Sequence, residues 1–238
     1  MLNNRRNILF VILAGFFVTN AVAGELIGGK LIQIGPFTMS IGIIPWPVVF
    51  LTTDLINEYF GKKGVRKLTL MTVVLIIYTF LLLFAGMNIP ASPISPVRDE
   101  QFQAVFGQSM WIIVGSITAF MASQLIDVLV FWFIRQRTGK GLIWLRATGS
   151  TVISQLIDTF IVTGIAFWLP GKLTFGNYVN TASTGYLAKL IIAVLITPLI
   201  YLGHRLIHRY LGEEQSERII AETAKEVTVS GQQSAVSS

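Results

Sequence analysis

The run Leu68-Thr69-Leu70-Met71-Thr72-Val73-Val74-Leu75-Ile76-Ile77-Tyr78-Thr79-Phe80-Leu81-Leu82-Leu83-Phe84-Ala85-Gly86-Met87 holds twenty residues and no charge. Coiled as an α-helix it spans about 30 Å, the thickness of the hydrocarbon core of a bilayer. Five more apolar blocks lie on either side of it, at about 8–23, 43–60, 108–134, 147–169 and 181–203. Only 13% of the 238 residues are charged, against about 25% in a soluble domain, and 53% are hydrophobic. A soluble enzyme, a nucleic-acid binder and a disordered chain are all excluded by that balance. The expectation is an all-α integral membrane bundle of six transmembrane helices filling residues 1–210. Residues 211–238 turn polar and end in Ser and Gln; the expectation there is an amphipathic turn after Glu213 and then a disordered cytoplasmic tail. With no cysteine in the chain, disulfides, thiolate metal sites and thiol catalysis are ruled out.

The basic residues set the orientation. Arg5 and Arg6, then Lys62, Lys63, Arg66 and Lys67, then Arg135, Arg137, Lys140 and Arg146, then Arg205, Arg209, Arg218 and Lys225 put fourteen on one side. Lys30, Arg98 and Lys172 put three on the other. Such a bias predicts both termini in the cytoplasm. The net charge of +6 therefore reads as contact with an anionic lipid face rather than with nucleic acid. The first block, following Arg5 and Arg6 and ending at Ala21-Val22-Ala23, has the look of a cleaved signal. Five further spans follow, and a retained first span completes an even count. Gly28 to Pro36 brackets β-branched alternation that suggests a short hairpin on the outer face, and the Pro-rich stretch 90–96 suggests an irregular exposed loop.

Two motifs carry little. Gly24 to Leu31 approaches a phosphate-binding loop but ends in Leu31, where a Ser or Thr should ligate magnesium. His204 and His208 lie four apart, without the Glu or third ligand of a zinc site, and read as interfacial histidines. No metal, cofactor or catalytic constellation is expected, and the chain is expected not to be an enzyme.

The ionisable residues inside the spans carry more. A carboxylate at mid-membrane costs about 2.5–3.5 kcal/mol even on lenient scales. Yet Asp54, Asp127, Asp158 and Lys189 fall within apolar blocks, with Glu58 near the inner end of the second. Three aspartates cannot all be neutralised by one lysine, so at least one needs a proton, an ion or a ligand. Ser123-Gln124-Leu125-Ile126-Asp127 recurs unchanged as Ser154-Gln155-Leu156-Ile157-Asp158. In each copy Ser, Gln and Asp share one helical face, and the copies run oppositely through the bilayer. Asp54 and Glu58 repeat the co-facial spacing. Polar stripes on antiparallel helices suggest a substrate cavity at a pseudo-symmetric interface. Helix glue worth about 1–2 kcal/mol accounts for the Ser and Gln but not for the aspartates. Counting rise along each block puts Asp54, Asp158 and Lys189 about 12–16 Å from their span ends, at one shared level, with Asp127 deeper. An ammonium at that depth needs a carboxylate partner, Asp158 or Asp54. Pro45 and Pro47 around Trp46 break the start of the second block, as near many transport sites.

These same stretches resemble a known family. Pro47 through Asp54 and Glu58 to Gly61, Phe120 through Gln124 to Asp127, Ser150 through Gln155 to Asp158, and Tyr186-Leu187-Ala188-Lys189 resemble the signature of the queuosine precursor transporters, also called the vitamin uptake transporter family. The resemblance covers about residues 8–210. It implies import of 7-deazaguanine bases, mainly 7-cyano-7-deazaguanine and its aminomethyl relative, across the bacterial inner membrane for tRNA modification. The expected binding residues are Asp54, Glu58, Gln124, Asp127, Gln155, Asp158 and Lys189. A carboxylate accepts from adjacent N–H groups of a guanine-like edge, and Gln or Lys serves the ring carbonyl. Trp46, Phe50, Phe120 and Tyr186 are available to stack on the ring. The alternative is a vitamin-binding membrane component that works with a separate ATPase module, since the chain has no nucleotide-binding motif of its own. A coupling ion or an energising partner stays open.

Overall fold

The computed structural model describes residues 5–28, 30–35, 37–107, 110–138, 142–171 and 173–223. Residues 108 and 109 at the start of the fourth block, Gly29 and Pro36 around the hairpin, Lys140, Lys172 and the tail from 224 on lie outside them. The chain runs α1 (Arg5–Ile27), β1 (Leu31–Ile34), β2 (Phe37–Ser40), a 3-10 turn (Ile41–Ile43), α2 (Trp46–Met87), α3 (Asp99–Phe106), α4 (Met110–Thr138), α5 (Ile143–Thr163), α6 (Phe175–Leu195) and α7 (Thr197–Leu211). Residues 213–223 form one more helix, α8. The two strands pair antiparallel, with Leu31 opposite Ser40 and Ile34 opposite Phe37. Every other regular element among the described residues is helical.

Five helical stretches are long and apolar enough to cross a membrane: α1, Ile41–Met87, Ile113–Thr138, Trp144–Trp168 and α6. The protein is a multi-pass membrane protein. The second and third apolar blocks are joined in α2, whose 42 residues would reach about 63 Å if straight, twice a bilayer core. They are not straight. Gly61 sits at φ 67°, ψ −172°, a region open essentially only to glycine. Just beyond it a Cβ on Gly64 would lie 2.6 Å from Cβ of Phe60 and 3.6 Å from Cγ2 of Ile56. Along a straight helix Ile56 and Gly64 are about 12 Å apart, so the chain bends sharply at Gly61.

The sixth block departs from its expected bounds. Its helix begins six residues earlier, at Phe175, under a Thr174 cap whose hydroxyl accepts from the Asn177 N–H at 3.4 Å. It stops at Leu195, because Pro198 has no N–H to continue the ladder and starts α7 instead. α5 runs on into a π-helical turn, Gly164–Trp168. The 90–96 stretch is exposed and irregular, as its prolines suggest.

Where an amphipathic turn is expected at the start of the tail, residues 213–223 form a longer packed helix. Ser216, Ile219 and Thr223 are buried, spaced three and four apart on one face of α8. Ile219 joins the main core with Ile56, Tyr59, Ile207 and Leu211. Arg135 donates from Nη2 to the Ile220 carbonyl at 3.0 Å.

The molecule is apolar outside and polar within. Val74, Leu81, Leu82, Phe84, Leu129, Phe133 and Leu195 are all exposed, an outer face suited to lipid tails. Buried instead are Thr53, Asp54, Asn57 and Glu58 on α2, Ser123, Gln124 and Asp127 on α4, and Arg146, Ser150, Thr151, Ser154, Gln155 and Asp158 on α5. α1 packs chiefly on α2, while α4 packs on α5 and α5 on α6. The polar residues line the seam between these two groups.

Candidate functional site

The doubled motif faces itself across α4 and α5. Ser154 of the second copy donates to Oδ1 of Asp127 in the first at 3.1 Å. The symmetry then breaks. Asp158 meets Lys189 on α6, with Nζ 2.6 Å from Oδ2. The ammonium also lies 5.5 Å from the ring centre of Trp46, which packs beside Phe50 and Phe120.

A small enclosed cavity lies beside the Ser154–Asp127 bond. Phe50, Thr53, Ser123, Gln124, Asp127, Thr151, Ser154 and Gln155 line it. At about 10 Å³ it has room for about one water. Asp54 is buried and within electrostatic reach of Asp127, Glu58 and Arg146. Its Oδ1, and Oε1 of both Gln124 and Gln155, have no hydrogen-bond partner among the described residues. Three buried acceptors thus stand ready for donors from a ligand.

Glu58 belongs elsewhere. Its Oε1 lies 2.8 Å from Nη2 of Arg146 and 3.5 Å from Nη2 of Arg135. With Arg146, His204, Arg205, His208, Glu213, Glu217 and Ile220 it lines a larger cavity of about 430 Å³. His204 is buried rather than interfacial and hydrogen-bonds Tyr59 Oη through Nδ1 at 3.0 Å. Burial, and then the charge of Arg146, hold its imidazole down at about 4, so it is neutral near pH 7.

Of the residues singled out in the sequence, Phe50, Gln124, Asp127 and Gln155 line the smaller cavity and Asp54 is buried nearby. Asp158, Lys189 and Trp46 form a cluster of their own. Glu58 lines the larger cavity, and Tyr186, half-buried on α6, lines neither.

Four polar participants escaped the sequence reading. Arg135 and Arg146 had been counted among the loop cations, yet both are buried. Arg146, Ser150, Ser154 and Asp158 follow one another at intervals of four, and that spacing was the missed signal. Asn57 lies between Asp54 and Glu58 on the same helix. Glu25, set aside with the Gly-rich loop, accepts a short hydrogen bond from Ser116 and stands within electrostatic reach of Asp158 and Lys189.

The comparisons with known proteins bear on this arrangement directly. The family described as "Putative vitamin uptake transporter" matches residues 40–203, a span that holds α2, α4, α5 and α6 with every lining residue of the smaller cavity. The chain belongs to the vitamin uptake transporter family. Within it, the chain is 31% identical over 182 residues to the probable queuosine precursor transporter of Bacillus subtilis (strain 168), covering 75% of this chain and 77% of that one. It is 28% identical over 176 residues to the queuosine precursor transporter of Escherichia coli (strain K12), covering 69% and 72%. A third relative, the probable queuosine precursor transporter of Haemophilus influenzae, is 25% identical over 162 residues, covering 65% and 63%. No solved structure matches at a significant level. The family match leaves out α1, the hairpin and α8, so Glu25 and the α8 wall of the larger cavity lie beyond it.

Proposed function

We propose that this protein imports queuosine precursors, 7-cyano-7-deazaguanine and its aminomethyl form, across the bacterial inner membrane, binding them where α2, α4 and α5 meet. The observation that carries this reading is the set of buried, unpartnered acceptors Asp54 Oδ1, Gln124 Oε1 and Gln155 Oε1 beside the doubled Ser-Gln-Leu-Ile-Asp motif. A guanine-like edge presents adjacent N–H donors that such acceptors would satisfy. A site built this way rejects bases lacking those donors more strongly than an apolar pocket does. The names of the relatives point the same way.

The cavity is far smaller than a base, so binding requires the α1–α2 group to part from α4, α5 and α6. That seam carries polar contacts, including Glu58–Arg146 and Glu25–Ser116, beside the aromatic packing of Phe17 and Trp46 on Phe120. In this reading the bend at Gly61 makes α2 two spans, which brings the total to six, and the basic bias places both termini in the cytoplasm. Lys189 and Asp158, under Trp46, form the outer wall of the path.

The test is uptake of labelled 7-cyano-7-deazaguanine into cells unable to make it. Cells carrying the protein should accumulate the base well above cells lacking it; equal uptake would sink the reading.

A further inference from the structure

Asn57 is 0% exposed, yet neither Oδ1 nor Nδ2 of its amide has a hydrogen-bond partner among the described residues. A buried amide unsatisfied at both ends is a standing penalty that a leucine of nearly the same shape would remove. Structural polar residues bond something, as Ser154 bonds Asp127 and Tyr59 bonds His204. The Asn57 amide bonds nothing among the described residues.

Its position suggests the reason. On α2 the smaller cavity is lined by Phe50 and Thr53 and the larger one by Glu58. On α5 the corresponding residues are Thr151, Ser154 and Gln155 for the smaller cavity, and Arg146 for the larger. Both helices therefore carry the two cavities about 7.5 Å apart, and Asn57 falls in the interval. Ser150, fully buried, falls in the same interval on α5. On the far side stands the Glu58–Arg146–Arg135 cluster. Along α2 the unpartnered atoms run in sequence: Asp54 Oδ1, both ends of Asn57, then Glu58 Oε2.

We propose that Asn57 is a further substrate-binding residue, which receives the base as it passes from the smaller cavity toward the larger one and the Glu58–Arg146–Arg135 cluster beyond. The proposal rests on the base-import reading. Its chemistry differs from that of its neighbours. Asp54 and Glu58 can only accept hydrogen bonds when ionised, whereas an amide both donates and accepts. Asn57 supplies the donor, Nδ2, that the ring carbonyl of a guanine-like base requires, while Oδ1 accepts from the adjacent ring N–H.

The test is Asn57→Leu, with Asn57→Ala as a second variant in case leucine overfills the site. Two readings are taken on each: the thermal unfolding midpoint of the purified protein in detergent, and uptake of labelled base in cells. The expected result is a midpoint for Asn57→Leu equal to or above the parent's, with uptake by both variants reduced at least tenfold. Competition adds a reading that a structural role would not move. An unlabelled guanine analogue lacking the ring carbonyl should compete poorly in the parent, and Asn57→Ala, which loses the donor, should narrow that discrimination at least threefold in its residual uptake. A lowered midpoint for Asn57→Leu would make the amide structural and overturn the proposal. So would uptake by either variant within twofold of the parent. A parent that imports no base at all would instead bring down the import reading on which the proposal stands.

Discussion

Lys189 and Asp158 form a tight ion pair, with Nζ and Oδ2 2.6 Å apart. Removing the lysine alone would strand a buried carboxylate, a loss of about 3–5 kcal/mol. Lys189→Met should therefore lower the amount of folded protein in the membrane. Lys189→Met with Asp158→Asn should restore that amount, while base uptake stays lost because the pair also walls the path. Immunoblots of membranes beside uptake assays check both; strictly additive losses in the double variant would mean the pair is not coupled. Asp127 is held differently, by the Ser154 hydroxyl. Asp127→Asn and Asp54→Asn each exchange an acceptor for a donor in the buried interior, a mismatch of about 1–3 kcal/mol. Uptake should fall roughly five- to hundredfold with membrane levels kept, and normal uptake in both would reduce the aspartates to packing. The lysine's need for a carboxylate was legible from its depth in an apolar block. Which carboxylate was not, because rise along separate helices says nothing of their relative offset.

At the scale of elements, Gly61 and α8 depend on each other. A side chain at Gly61 would be strained by its φ of 67°, at a cost of order 1–3 kcal/mol. Its Cβ would also stand 2.8 Å from Cγ2 of Thr223. Gly61→Ala should lower the unfolding midpoint and loosen α8, which limited proteolysis would report as faster cleavage within 213–223. Unchanged cleavage would mean that α8 is held independently of the bend. Ile219→Ala, on the buried face of α8, should cost about 2–5 kcal/mol as a large-to-small core change, read by thermal unfolding. The bend was not evident in the sequence, and of α8 only an amphipathic turn was. A break within a polar stretch looks like a loop between two blocks. A helix of three turns that buries one isoleucine and two hydroxyl-bearing residues on its inner face has too little apolar periodicity to stand out from a solvated tail.

Across the whole molecule, the basic bias and the Gly61 bend make one topological prediction. In this cysteine-free protein, a cysteine at Ser95 should react with an impermeant thiol reagent in intact cells, and one at Thr138 should not. The reverse pattern would overturn the orientation. Arg135 and Arg146 are buried with Glu58, so they act as structural partners as well as topological signals. Without them the bias still stands at twelve basic residues to three.

What the sequence determined by itself was the class of molecule and the chemistry of its interior. Blocks of about 20 residues can be satisfied only in a bilayer, and a carboxylate or ammonium inside one has too high a desolvation cost to be incidental. Those are properties of single segments, so they are legible along the chain. The tertiary structure alone decided the pairing: Lys189 with Asp158, Ser154 with Asp127, and Glu58 with two arginines that had looked like loop charges. It alone showed Asn57 unpartnered between two cavities and α8 closing one of them. Pairing depends on helix offset, rotation and bend, which arise from contacts between segments distant in sequence, and no local pattern encodes them.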